Sequence, residues 1–162
     1  MYFKGLYLNE VLLFIIIIEL TMLVQQGITF LWRPDEKKRL WPIILLALVI
    51  LRNLVEGIFN KPDPQLAIPV SVQTFLGHFF GYLVGGYFPI YWYKTLGFKN
   101  LQPHAKYGPF LIIVPAVSVY LLFLDTTENI RQLKLYIYLL PVSYVLFLLG
   151  VVIFGIYKQY RS

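Results

Sequence analysis

Five long apolar stretches, almost free of charge, constrain this chain more than any other feature. They cover about residues 11–32, 41–59, 68–96, 109–124 and 135–157. An α-helix needs about 20 predominantly apolar residues to cross the hydrocarbon core of a bilayer. The stretches do not alternate apolar with polar residues as barrel strands do, and in lipid a lone segment satisfies its backbone only as a helix. The sequence predicts an all-α polytopic membrane protein with a five-helix transmembrane bundle.

The composition agrees with this interpretation. Only 14% of the residues are charged and 59% are hydrophobic, whereas soluble domains carry about 25% charged and about 45–50% apolar residues. Five spans with their connections use nearly the whole length of 162 residues, so no stretch remains for a separate soluble domain. We therefore predict a single transmembrane domain over residues 1–162, with the lipid bilayer as its main partner.

The distribution of lysine and arginine predicts the orientation in the membrane. Apart from Arg52, thirteen basic residues flank the spans. Nine of them lie after the first span, around the connection after the third span, and in the tail: Arg33, Lys37, Lys38, Arg39, Lys94, Lys99, Lys106, Lys158 and Arg161. The positive-inside rule assigns these regions to the cytoplasm. The amino terminus is then outside and the carboxyl terminus cytoplasmic, and the net charge of +6 is explained without a nucleic-acid partner.

Signatures of enzymes and cofactor sites are missing from the sequence. The chain has no cysteine, and its two histidines, His78 and His104, lie in separate segments. Metal sites need several such ligands at suitable spacing, and no phosphate-binding loop or nucleophile elbow occurs. We therefore predict neither catalytic activity, nor a metal, nor a cofactor.

Six polar residues inside the first three predicted spans form the candidate functional site. Such residues are costly in lipid and face the bundle interior, a partner or a water-filled cavity. With the predicted orientation all six lie at similar depths in the outer half of the membrane. Arg52 and Glu56 are four residues apart and meet on one helical face. The six residues are Glu19, Arg52, Asn53, Glu56, Gln73 and His78.

Three interpretations of this polar group stay open at the level of sequence. In the first, Arg52 pairs with either Glu19 or Glu56 and the group only fixes helix packing. In the second, the group forms an outward-opening pocket for a small polar ligand. In the third, Glu19, Glu56 and His78 line a proton or ion pathway, since histidine titrates near neutral pH.

The third span carries glycines at intervals of four residues, namely Gly77, Gly81 and Gly85. Small residues on one face let another helix approach closely, and such packing drives helix association in lipid. The partner helix belongs either to this chain or to a second copy in a homo-oligomer.

Residues 81–108 carry a resemblance to a known class of proteins. Residues 87–94 read YFPIYWYK, residues 98–101 read FKNL, and residues 104–108 read HAKYG. This pattern is similar to the membrane-embedded sensor regions of bacterial sensor histidine kinases and membrane-tethered helix-turn-helix regulators. The resemblance implies a bacterial inner membrane and a cytoplasmic output domain joined after the fifth span. The output-domain motifs have no counterpart in this chain, so no catalytic residues carry over.

Our leading hypothesis is therefore a membrane sensor or receptor module, in which the polar pocket biases helix packing and the fifth helix relays the change to the cytoplasm. The alternatives are a small transporter or channel subunit, and an assembly subunit of a larger membrane complex.

Overall fold

A computed structural model describes residues 10–59, 67–123 and 130–161. In these ranges the chain forms five helices, which are α1 (Glu10–Trp32), α2 (Leu40–Phe59), α3 (Val70–Leu96), α4 (Gln102–Phe123) and α5 (Ile130–Arg161). Short 3-10 turns at Lys37–Arg39 and Lys99–Leu101 precede α2 and α4. No strand occurs among the described residues. The all-α prediction is confirmed, and the five helices correspond to the five apolar stretches.

Three of the helices have the length and hydropathy of membrane spans. They are Glu10–Trp32, Lys37–Phe59 and Pro141–Lys158, with mean hydropathies of 2.2, 2.0 and 1.8. In the first and third of these helices most apolar side chains are exposed, as in Phe14, which is 64% exposed, whereas those of Lys37–Phe59 are mostly half-buried. Such a surface suits lipid and is unfavourable in water. The length and hydropathy of these three helices indicate a membrane protein. Glycine, proline and polar side chains lower the mean hydropathy of α3 and α4. Membrane crossing by these two helices stays a prediction.

The chain divides into two compact units, Met1–Val84 and Gly85–Ser162. The first unit contains α1, α2 and the beginning of α3. Ile16 of α1 and Ile50 of α2 are buried. The connection between α1 and α2 is held by Glu36, whose carboxylate accepts hydrogen bonds from Arg39 at 2.5 Å and from Arg33 at 3.4 Å. The hydrogen bond from Arg39, with smaller contributions from the charges of both arginines, holds the pKa of Glu36 below its usual value.

The second unit contains the end of α3 together with α4 and α5. Gly97 ends α3 with a φ of +71°, and its N–H donates to the Tyr93 carbonyl at 2.9 Å. A positive φ at this position is readily adopted by glycine and terminates the helix. The core of the unit is formed by Leu101, Leu148 and Val152, against which Trp92, Tyr93, Phe98, Tyr144 and Val151 pack.

Candidate functional site

The side chain of Asn53 connects α2 to α1. Its amide nitrogen Nδ2 donates to the Glu19 carboxylate, at 2.7 Å from Oε1 and 2.9 Å from Oε2. Asn53 is only 4% exposed, so the bond forms between the helices and not at their outer surface. Hydrogen bonds to charged groups contribute about 1.5–3 kcal/mol each. This contact is therefore a strong polar link between the first two helices.

Arg52 extends the same network along α2. Its Nη1 donates to Asn53 Oδ1 at 2.8 Å, and its Nη2 lies 2.5 Å from Glu56 Oε2. The structure thus decides between the two pairings left open above, because Arg52 pairs with Glu56 while Glu19 is reached through Asn53. The side chains of Arg52 and Glu56 are 41% and 43% exposed, whereas Asn53 is buried.

We call Glu19, Arg52, Asn53 and Glu56 the polar network. It joins two of the three helices that have the properties of membrane spans. A charged side chain at the centre of a membrane helix costs about 2.5–3.5 kcal/mol on insertion scales, and the network gives each charged member a polar partner. Its formal charges are two carboxylates and one guanidinium, so one negative charge is not balanced within it.

The other two predicted site residues lie on α3. Gln73 has a fully buried side chain, and its Nε2 donates to the Ile68 carbonyl at 2.7 Å. Nδ1 of His78 lies 2.7 Å from the Thr74 carbonyl oxygen. Because a carbonyl only accepts, Nδ1 is the donor in this contact. These bonds hold both side chains to the backbone of their own segment, just as helix-capping and back-bonding side chains do.

The three spaced glycines have different surroundings. A β-carbon at Gly77 would lie 3.7 Å from Phe59 Cβ, and one at Gly85 would lie 3.9 Å from Ile112. At Gly81, no atom of a neighbouring element in the described chain lies within 4 Å. A side chain at Gly77 or Gly85 would therefore meet its neighbours only at ordinary van der Waals distance, and close helix packing on the three glycines stays a prediction.

Closer approaches occur at glycines that the sequence analysis did not single out. A β-carbon at Gly108 would lie 2.6 Å from the Tyr144 hydroxyl, and one at Gly155 would lie 3.2 Å from Phe98. The Tyr144 hydroxyl also lies 3.2 Å from His104 Nδ1. The glycine–proline pair at residues 108–109 was an available signal for a special position, since glycine avoids the clash between a β-carbon and the following proline ring.

Comparison of the chain with protein-family models, curated protein sequences and solved structures finds no match. The resemblance to sensor regions therefore stays a prediction. Within the described residues, no group of three or more histidine, aspartate or glutamate side chains is arranged to hold a metal ion.

Proposed function

We propose that the chain is a membrane sensor or receptor module whose polar network binds a small polar ligand from the outer side. The observation that carries the proposal is the unequal exposure within the network. Arg52 and Glu56 are about two-fifths exposed, so a ligand can reach them. Asn53 is buried and is bonded both to Arg52 and to Glu19 of the neighbouring helix. Contact at the exposed pair is therefore coupled by hydrogen bonds to the packing of α1 on α2.

The charges of the network favour a ligand that carries an amino group. One negative formal charge is in excess, and a primary amine supplies a compact cation with three donors. Arg52 offers parallel N–H donors that match a carboxylate. A zwitterion such as a free amino acid has both groups. We therefore propose amino acids and small amines as the ligand class.

The proposed signal is a change in helix packing. A ligand shifts a conformational equilibrium only if its affinity differs between the two conformations. A ligand that competes for Arg52 or Glu56 changes the hydrogen bond of Arg52 to Asn53, and with it the link to Glu19. Helix α3 contributes residues to both compact units, and in the proposal it carries the change from the network to the second unit. In the proposal, α5 then carries the change to a cytoplasmic output domain or to a second copy of the chain.

The experiment uses Trp92 as the reporter of the second unit. Trp32→Phe and Trp41→Phe leave Trp92, which packs against the core of that unit, as the single tryptophan of the chain. We expect an amino acid or amine from a panel to change Trp92 fluorescence in a saturable manner. Arg52→Gln should weaken that response about tenfold or more, because it removes a charge-assisted hydrogen bond.

The matched control is Arg33→Gln, which removes the same charge from the exposed connection between α1 and α2. It should leave the response unchanged. An unaltered response in Arg52→Gln, or an equal loss in Arg33→Gln, would contradict the proposal. Uptake of the active compound into proteoliposomes would favour a transporter, and constant co-purification with fixed membrane partners would favour an assembly subunit.

A further inference from the structure

A cleft in the second unit, separate from the polar network, lies where the end of α3 meets the end of α5. Its volume is about 600 Å³. Three segments contribute to its wall: the end of α3, the turn before α4, and the last part of α5. The lining residues are Leu96, Gly97, Phe98, Lys99, Asn100, Phe154, Gly155 and Lys158. We call it the basic cleft.

Two glycines shape the basic cleft. The positive φ of Gly97 turns the chain out of α3 and brings the following residues toward α5. A β-carbon at Gly155 would lie 3.2 Å from the Phe98 ring and 3.6 Å from Asn100 Nδ2. The absence of a side chain at Gly155 therefore leaves room for these two residues against α5.

The charge of the basic cleft is positive. Lys99 comes from the turn before α4, and Lys158 comes from the last turn of α5. Asn100 adds an amide that can donate hydrogen bonds, and none of the lining residues is acidic. The two lysine ammonium groups in one cleft repel each other. An anion between them would be attracted to both and would offset that repulsion. The side-chain chemistry therefore favours a ligand with a negatively charged group.

The position of the cleft along α5 indicates how deep in the membrane that group would bind. Residues 135–157 of α5 carry no charge, and Lys158 is the first charged residue after them; in a membrane-spanning helix, a lysine at the end of the apolar stretch lies at the interface. Lys158 therefore lies at the boundary between hydrocarbon and water, where lipid headgroups lie. Phe154, one helical turn before it, is 65% exposed and faces outward with an apolar ring. The cleft thus combines a cationic end at headgroup level with an apolar surface on the hydrocarbon side.

We propose that the basic cleft binds the phosphate group of an anionic phospholipid. Lys99 and Lys158 contact the phosphate, Asn100 donates a hydrogen bond to it, and the beginning of an acyl chain lies along Phe154. Basic pockets at the ends of membrane helices bind phospholipid headgroups by this combination of charge and depth. Free phosphate has the same anionic chemistry, but it carries no apolar group that could pack against the exposed ring of Phe154. The proposal does not depend on the function of the polar network.

The test measures lipid binding to the purified full-length chain. Native mass spectrometry in neutral detergent counts bound phosphatidylglycerol and phosphatidylcholine over a titration of each lipid. We expect tighter binding of phosphatidylglycerol than of phosphatidylcholine. The double variant Lys99→Gln/Lys158→Gln should bind phosphatidylglycerol about 25-fold more weakly, since each cation near a lipid surface contributes about fivefold. Lys99→Arg/Lys158→Arg keeps both charges and should retain most of the binding.

The control variant is Lys37→Gln/Lys38→Gln, which removes two exposed charges from the connection between α1 and α2. It should bind phosphatidylglycerol as the wild type does. An equal loss in this control would show general attraction of lipid to a basic protein and would overturn the proposal. Displacement of the lipid by millimolar inorganic phosphate would show a site for the free anion and would overturn the lipid assignment. Unchanged binding in Lys99→Gln/Lys158→Gln would overturn it as well.

Discussion

At the scale of single residues, Gly108 is a position where the structure leaves no room for a side chain. A β-carbon there would lie 2.6 Å from the Tyr144 hydroxyl and 3.0 Å from Pro89 Cγ. Tyr144 cannot simply move away without weakening its 3.2 Å contact with His104. Gly108 also precedes Pro109, whose ring disfavours a helical conformation for a preceding residue that has a β-carbon. Two close contacts and the backbone restriction before Pro109 therefore favour glycine at this position.

We expect Gly108→Ala to lower the thermal unfolding temperature of the purified protein. Overpacking of this kind costs about 1–3 kcal/mol, and over most of that range it outweighs the ~1 kcal/mol by which alanine favours a helix over glycine. Gly150→Ala in α5 is the control, because no atom of another described element lies within 4 Å of its β-carbon position. It should leave the unfolding temperature unchanged or raise it.

Tyr144→Phe gives a second check on the same contact. In the Gly108→Ala background it removes the hydroxyl that the new methyl group meets, so part of the lost stability should return. Equal unfolding temperatures for Gly108→Ala and Gly150→Ala would show that the space around Gly108 adapts at no cost.

At the scale of elements, the link between α1 and α2 depends on the direction of one hydrogen bond. The amide of Asn53 donates and the carboxylate of Glu19 accepts, at 2.7 Å and 2.9 Å. A carboxylate at position 53 would face a carboxylate at position 19, and like charges at this distance repel strongly in a medium of low dielectric constant. The direction of this hydrogen bond can therefore be tested by exchanging the amide and the carboxylate between positions 53 and 19.

We expect Asn53→Asp to lower the unfolding temperature and to loosen the pairing of α1 with α2. Addition of Glu19→Gln to that variant should restore much of the stability, because an amide on α1 then donates to a carboxylate on α2. Thermal unfolding of the two single variants and the double variant forms a double-mutant cycle. Additive effects in that cycle would mean that the two side chains do not interact in the membrane.

At the scale of the whole molecule, the proposed topology has five crossings with an external amino terminus. Among the described helices, α1, α2 and the last part of α5 have the hydropathy of spans and α3 and α4 do not, so the crossings by α3 and α4 are the ones to measure directly. The chain has no cysteine, and single cysteines can therefore be introduced without a prior cysteine-free variant. Lys38, Ala67, Gln102 and Arg161 are all exposed and lie between or after the helices or at a helix end.

We expect a membrane-impermeant maleimide to label Ala67→Cys in intact cells. Lys38→Cys, Gln102→Cys and Arg161→Cys should react only after the cells are permeabilised. Labelling of Gln102→Cys from outside would show that α3 does not cross. Given that α5 crosses, labels at Gln102 and Arg161 on the same side require that α4 crosses too. The pattern of four labels therefore tests each proposed crossing after α1.

The helices could be predicted from sequence because each depends mainly on the apolar residues of its own stretch. In lipid, a long apolar stretch must form its backbone hydrogen bonds within itself, as a helix does. Helices α1 and α2 accordingly begin and end within a few residues of the predicted spans. Helix α4 begins at Gln102, well before the predicted start at residue 109, because polar residues extend a helix beyond the apolar stretch. The pairing of Arg52 with Glu56 was among the predicted alternatives for a similar reason, since helical periodicity brings residues four apart together.

The contacts between helices depended on tertiary structure alone. Asn53 rather than Arg52 reaches Glu19, Gly108 meets Tyr144, and Lys99 joins Lys158 in one cleft. Each of these pairs is far apart along the chain, and its contact depends on the rotation and the axial offset of one helix against another. Those two quantities arise from the packing of many side chains together, so neither helical periodicity nor hydropathy along the sequence specifies them.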